Sequence, residues 1–307
     1  MWQPSRSHRS IIKTDALIEG VHFTRDAMSA AEVGYRALAA NLSDVAAKGA
    51  RPVLMTIAFG ISPETDEVWI RDFYRGMAAL AESTGTAIAG GDLVRAPVIT
   101  ISITIIGEVR STNCKLRSGA RVGDVIAVTG PLGASRAGLA VALEHRDASA
   151  LPQASRALAA FRTPTPRLRE GRWLAASSNV HAMMDLSDGL STDLARMARL
   201  SRCGAVVENV PIDPAAVEIA AAIGDDPIDY ALNGGEDYEL LAAIDARAFP
   251  YLAKRFAARF GKPLLRVGRF VSDEGVRIVD GGSERILESR GWDHLRRSPP
   301  GDANRLA

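Results

Sequence analysis

The sequence predicts a two-domain protein of the α/β or α+β class. Segments with strand-like alternation interleave with segments whose apolar residues recur at helical spacing. A polar stretch, Arg110–Asp124, interrupts that pattern, and the pattern then restarts. The length of 307 residues also suits two domains. The expected division is residues 1–111 and residues 112–307.

Taken in order, Met1–Ser10 is polar and basic and reads as a tail. Ile11–Leu17 reads as a strand ending in an acidic turn. Val33, Ala37, Leu38, Leu42, Val45 and Ala46 place a helix over Ala30–Lys48, stopped by Gly49 and Pro52. Val53–Gly60 is a strand-like apolar run, Thr65–Thr84 a second helix closed by Gly85, and Thr86–Gly90 a short buried strand. In Val98–Val109, Ile99, Ile101, Ile103 and Ile105 alternate with Thr100, Ser102 and Thr104, which predicts a half-buried strand with one polar face. After the polar stretch come strand Val125–Thr129, a Gly130–Gly133 turn and helix Ser135–His145. Strand His181–Met184, helix Leu190–Leu200, strand Ala205–Glu208 and helix Pro214–Ala222 follow. Strand Tyr238–Ile244, helix Ala248–Phe260 and strands Leu264–Phe270 and Val276–Val279 complete the pattern. The chain after Arg296 has the composition of a disordered tail.

Composition bounds the function. Hydrophobic residues make up 47% and charged residues 24%, which are globular values. The net charge is +1, so a dedicated nucleic-acid binder is not expected. No apolar run approaches the roughly 20 residues needed to span a bilayer. Cys114 and Cys203 form no metal-type pair, and so few cysteines suit a reducing cytoplasm.

The chemistry lies in carboxylates. Asp15, Asp44, Asp92, Asp185 and Asp188 sit at strand ends or within apolar segments. Hard divalent cations take oxygen ligands, and Mg²⁺ is commonly held by a few carboxylates plus phosphate oxygens. Several such aspartates could together hold more than one Mg²⁺. Each also has an ordinary alternative: Asp15 and Asp92 as turn residues, Asp44 on a solvated helix edge, Asp188 as a helix cap. The sequence has no P-loop, no protein-kinase signature and no nucleophile elbow.

These segments carry a resemblance. Thr14-Asp15-Ala16-Leu17-Ile18-Glu19-Gly20-Val21-His22-Phe23 resembles the acidic motif of thiamine-monophosphate kinases, and Asn41–Ala50 resembles their second signature. Gly90-Gly91-Asp92, Leu116–Ala120, Asp185–Leu190 and Gly234-Gly235-Glu236-Asp237-Tyr238-Glu239-Leu240 follow in the family's order. The resemblance covers Ile11 to Arg296. It implies a two-domain fold of the aminoimidazole ribonucleotide synthetase type, with the N-terminal domain pairing across a homodimer. It implies ATP as co-substrate, Mg²⁺ as cofactor and thiamine monophosphate as acceptor. Thr14, Asp15, Asp44, Asp92, Asp185 and Asp188 fall on magnesium positions; Asp44, Asp92 and Asp185 are the expected catalytic residues. Tyr74, Gly91, Asp92, Arg117 and Ser187 fall on nucleotide positions, and His22, Glu236 and Trp292 on positions that touch thiamine phosphate. His22 could instead be a surface residue and Trp292 a core anchor.

Two departures accompany the resemblance. Lys13 stands where many relatives carry Ser or Thr. The family's Gly-Asp-Asp segment ahead of the first strand has no counterpart in Met1–Ser10, so the coding sequence upstream of Met1 is expected to encode one in frame. A catalytically impaired nucleotide-binding homologue is the first alternative. Another ATP-dependent enzyme of the superfamily, such as a selenophosphate synthetase or a ribonucleotide cyclo-ligase, is the second.

Overall fold

The structure, a computed structural model, describes residues 3, 6–144 and 146–291. Residues 8–110 form a four-stranded sheet with helices on one face. In chain order its elements are β1 (His8–Ile18), α1 (Ala30–Ala47), β2 (Arg51–Ile61), α2 (Glu67–Thr84), β3 (Ala87–Arg95) and β4 (Thr100–Arg110). The strand order is β1-β4-β2-β3, with only the β2–β3 pair parallel. The strand alternation works as expected: Ile101, Ile103 and Ile105 are buried, while Thr100, Ser102 and Thr104 occupy the open face.

Local chemistry fixes the helix ends. Ser29 caps α1 in a reciprocal box with Glu32, which satisfies the N–H groups of both residues. Asp66 accepts from Trp69 N–H, so α2 begins at Glu67, two residues after the expected start. Gly85 ends α2 in the left-handed region, where a side chain would be strained.

Two N-terminal expectations need correction. His8–Ser10 belongs to β1 and not to a tail, because its backbone pairs with Glu108–Arg110 of β4. The strand expected at Thr86–Gly90 runs from Ala87 to Arg95 and is exposed along its whole length. It lies at the sheet edge, where an apolar run reports a surface and not a core.

The second sheet has the order β11-β10-β7-β9-β5-β8-β6. Its strands are β5 (Val125–Val128), β6 (Val180–Asp185), β7 (Gly204–Val207), β8 (Leu240–Ile244), β9 (Leu265–Val271), β10 (Val276–Asp280) and β11 (Ser283–Ile286). Around it pack α3 (Ala134–Leu139), α4 (Ala154–Arg162), α5 (Leu168–Ala175), α6 (Leu190–Ser201), α7 (Pro214–Ile223), α8 (Pro227–Asn233) and α9 (Phe249–Phe260). The sequence reading missed α4, α5, α8 and β11, which are short and bounded by proline or glycine. The helix expected over Ser135–His145 is α only to Leu139 and then widens to a π-turn over Ala140–Glu144. The strand expected from Tyr238 starts at Leu240, because Glu236 and Tyr238 have positive φ. The tail after Arg296 lies outside the described residues.

Helix α1 joins the two halves. Every residue from Arg36 to Ala47 is buried, the charged Arg36 and Asp44 among mostly apolar or small neighbours. Ala37, Leu38, Leu42 and Val45 pack with Ile101, Ile103 and Ile105 of the first sheet. Ala46 and Ala47 pack with Val125, Ala127, Leu240 and Ala242 of the second. Small residues permit this: a Cβ on Gly171 of α5 would stand 2.2 Å from the Ala46 carbonyl oxygen. Asp44, one turn from the end of α1, is therefore carried into the seam between the sheets.

Candidate active site

The seam opens into a cleft of about 160 Å³ lined by Lys13, Asp15, His22, Arg36, Asp44, Arg117, Asp185, Ser187, Asp188, Glu236 and Tyr238, among others. Asp15 reaches it because residues alternate along β1: its cross-strand partner Ile103 is buried on the helix side. Asp44 is only 7% exposed, so the solvated helix edge is excluded. Asp185 ends β6, and the loop after it brings Ser187 and Asp188 to the rim.

The acids are held against bases. Lys13 Nζ lies 2.8 Å from Asp44 Oδ2 and 3.4 Å from Asp15 Oδ1. Arg117 reaches Asp44 Oδ1 at 3.3 Å. Burial, reinforced by Asp44, pushes the Asp185 carboxyl well above the usual range. Burial likewise raises Asp15, against the pull of Lys13. Such carboxylates gain much from an incoming cation.

Asp188 is not a helix cap; Gly189 takes that place, and Asp188 pairs with Arg196 at 2.8 Å. The loop is instead shaped by Asp193, which accepts from the N–H groups of Ser187 and Asp188 at 3.0 Å each. Burial holds the Asp193 carboxyl at about 7. In the Val-His-Phe run, Phe23 is fully buried and His22 Nδ1 accepts from Ile18 N–H at 3.1 Å. A neutral ring then carries its proton on Nε2.

Four of the expected residues do not converge on this cleft within the chain. Thr14 lies on the open face, hydrogen-bonded to Thr104 at 2.8 Å. Gly91 and Asp92 lie on β3, three strands from β1 or roughly 14 Å across the sheet. Asp92 is in line with Ala58, Ser102 and Ala16 on the open face, and is not a turn residue. Tyr74 packs edge-on against Phe73 and Phe59. Trp292 lies outside the described residues.

Several residues went unrecognised in the sequence. Lys13 was noted only as a departure. Arg36 is 1% exposed, pairs with Glu236, donates to the Phe161 carbonyl and stacks 4.5 Å over the Phe161 ring. A lone Arg within an apolar helical stretch was the available signal. Glu236 and Tyr238 have φ of 56° and 50°, a costly conformation for residues with side chains. It turns Glu236 into the cleft while Asp237 and Glu239 point to the opposite side, where Arg167 and Thr129 hold Glu239.

Comparison with known proteins fits this arrangement. The N-terminal domain of AIR synthase related proteins matches residues 1–109, and their C-terminal domain matches residues 121–281. The thiamine-monophosphate kinase of Synechococcus elongatus is 33% identical over 298 residues, covering 95% of this chain and 88% of the relative. That of Salmonella typhimurium is 35% identical over 285 residues, covering 92% and 86%. The chain belongs to the thiamine-monophosphate kinase family. A crystal structure of a family member from Stenotrophomonas maltophilia K279a superposes with a TM-score of 0.82 at 36% identity, covering 90% of this chain and 87% of that one. The structure of AaThiL complexed with AMPPCP and TMP superposes with a TM-score of 0.83 at 29% identity, covering 95% and 89%.

The Gly-Gly-Glu-Asp-Tyr-Glu-Leu run of this thiamine-monophosphate kinase family member also carries a pH prediction. The Asp237 carboxylate accepts from Gly133 N–H at 2.9 and 3.0 Å, yet burial pushes its pKa up to about 8 from 3.8. The folded value exceeds the unfolded one, so the group's stabilisation is full below pH 4 and is lost as pH rises to about 8. Asp237→Asn keeps an acceptor and removes the titration. Its melting temperature is expected to fall less than wild type between those limits, by the equivalent of a few kcal/mol. Equal slopes for the two proteins would exclude Asp237 as a source of the pH dependence.

Proposed function

We propose that this chain transfers the γ-phosphoryl group of ATP to the phosphate of thiamine monophosphate, giving thiamine pyrophosphate and ADP, by direct transfer in the seam between the two sheets. The observation that carries this reading is the meeting of Asp15, Asp44 and Asp185 with His22 and Glu236 of the family's two most specific motifs.

The acceptor oxygen is already anionic, so little general-base help is needed. The obstacle is repulsion between two phosphates, and Mg²⁺, when bound, would supply positive charge against it. Asp185 and Asp188 would hold that ion, with Asp15 and Asp44 beside it and closed in by Lys13. Their chemistry fits: all are oxygen donors, and burial raises Asp15 and Asp185. Among the described residues no three acids, histidines or cysteines form a ready cage. Mg²⁺ takes one or two carboxylates and completes its shell from phosphate and water. Arg117 can grip a phosphate bidentately, and the loop around Ser187 lies beside it to contact nucleotide. His22 Nε2–H donates to the acceptor phosphate. Arg36 fixes Glu236 so that its carboxylate faces the cationic thiamine. Trp292 is assigned to stack on a thiamine ring.

We assign residues 1–111 to nucleotide binding and pairing, and 112–307 to a second α/β domain. Tyr74, Gly91 and Asp92 are assigned to a site shared with a second copy. Support comes from the exposed β3 edge, where Ile88, Leu93 and Val94 are 42%, 56% and 51% exposed. Thr14 is kept as a magnesium ligand only through its backbone or through movement of its side chain. No helix among the described residues is long and apolar enough to cross a membrane. We place the reaction in the cytoplasm, which suits the two free cysteines.

The test is an acceptor screen with ATP and Mg²⁺, in which thiamine monophosphate is compared with other phosphate monoesters. Equal yields of ADP and thiamine pyrophosphate are expected, from a species that sediments as a dimer. Turnover of ATP without thiamine pyrophosphate rejects the acceptor. Full activity in a monomer rejects the shared site.

A further inference from the structure

Lys13 and Asp15 lie two residues apart on β1 and so face the same side of the sheet, toward α1. There the Lys13 ammonium bridges Asp44 at 2.8 Å and Asp15 at 3.4 Å. Arg117 faces the other oxygen of Asp44 at 3.3 Å, so both Asp44 oxygens already meet a cation. A magnesium ion shared by Asp15 and Asp44 needs those same lone pairs, at about 2.1 Å. The ammonium and the dication therefore compete for one position, and their like charges repel within a few ångströms. Nor is Lys13 a surface side chain that strays into the cleft by chance. Its side chain is 29% exposed, and its ammonium meets two carboxylates whose side chains are 35% and 10% exposed.

We propose that Lys13 is a tethered cation that takes the place of one divalent ion between Asp15 and Asp44. The chain then binds one fewer such ion than it would with a neutral residue at position 13. The inference deepens the phosphoryl-transfer reading and rests on it for the meaning of the site. Lys13 ties the first sheet to α1 before any ligand arrives, holds two carboxylates together without metal, and presents a fixed positive charge to an incoming phosphate. Asp185 and Asp188, with which Lys13 forms no ion pair, are left for metal that enters with nucleotide.

Titration of the nucleotide-free 307-residue chain with Mn²⁺ and with Mg²⁺, followed by calorimetry and by thermal melting, tests this. Lys13→Ser and Lys13→Met are each expected to gain one bound ion per chain. Their Mn²⁺ affinity should rise by about tenfold or more over wild type, because a fixed opposing charge has gone. Metal should raise their melting temperatures and leave that of wild type unchanged. Lys13→Arg keeps the charge and should behave as wild type. Adding Asp44→Asn to Lys13→Ser should remove the extra ion. Equal stoichiometry and affinity in wild type and both neutral variants overturns the proposal, as does an extra ion that survives Asp44→Asn. Melting without metal identifies a variant that does not fold, and the remaining neutral variant then decides; if neither folds, saturable binding of an ion by wild type at Asp44, removed by Asp44→Asn, overturns the proposal. The titration contains no nucleotide and no acceptor. A transferring enzyme with unchanged metal binding sinks only the role of Lys13; the expected metal binding without transfer sinks only the kinase reading.

Discussion

Asp44→Asn is expected to lower kcat/KM for phosphoryl transfer by about 10³-fold, the size of loss typical when one preorganised charge at a reacting phosphate is removed. Asp44 stands in the seam with Lys13 on one oxygen and Arg117 on the other. Asn is nearly the same size, so the packing of Leu42 and Val45 beside it is untouched. What disappears is the charge that orients both cations toward an incoming phosphate. The fold should persist, because Lys13 keeps Asp15 and α1 keeps its contacts with both sheets. Initial rates at several magnesium concentrations, with far-ultraviolet circular dichroism as the check on folding, measure this. Wild-type turnover by the variant at low magnesium would refute that role.

Arg36→Met should destabilise the protein by about 3 kcal/mol, toward the low end for a broken buried pair because Glu236 still reaches solvent. Arg36 links α1 to Glu236 and to the Phe161 carbonyl, so its removal leaves a carboxylate and a carbonyl oxygen short of a donor. The KM for thiamine monophosphate should rise more than that for ATP, because Glu236 loses its orientation while Asp44 and Arg117 do not. Adding Glu236→Gln should recover part of the lost stability. Urea unfolding of the four proteins in that cycle gives the numbers. A loss under 1 kcal/mol, or no recovery in the double variant, means the pair does not hold the loop.

Much of the chain was legible because its segments repeat simple rules. The isoleucines of β4 announced one buried face and one open face, and the structure has both. Gly49 and Pro52 marked the end of one helix, and Gly85 the end of the next. Other segments lacked such signals. α5 is eight residues long and has no capping side chain, so nothing local distinguishes it from a loop; its helix is decided by packing of Gly171 on α1. The run Thr86–Gly90 reads as a short buried strand, and only the position of Ala87–Arg95 at the sheet edge shows that it is exposed.

The site divides in the same way. By itself the sequence determined the family, the acidic residues and the specific His22 and Glu236 runs, because catalytic chemistry demands particular side chains at particular places in the motif. It could not say which of them meet. Strand alternation sends Thr14 and Asp15 to opposite faces, and strand order puts Asp92 across the sheet from Asp15. Both follow from hydrogen bonds between segments far apart in the chain. Tertiary structure alone joined Lys13 to Asp15 and Asp44, and Arg36 to Glu236. Partners for a buried charge are chosen by proximity in the folded chain, since burying one without a counter-charge is costly, and no local pattern in the sequence records that proximity.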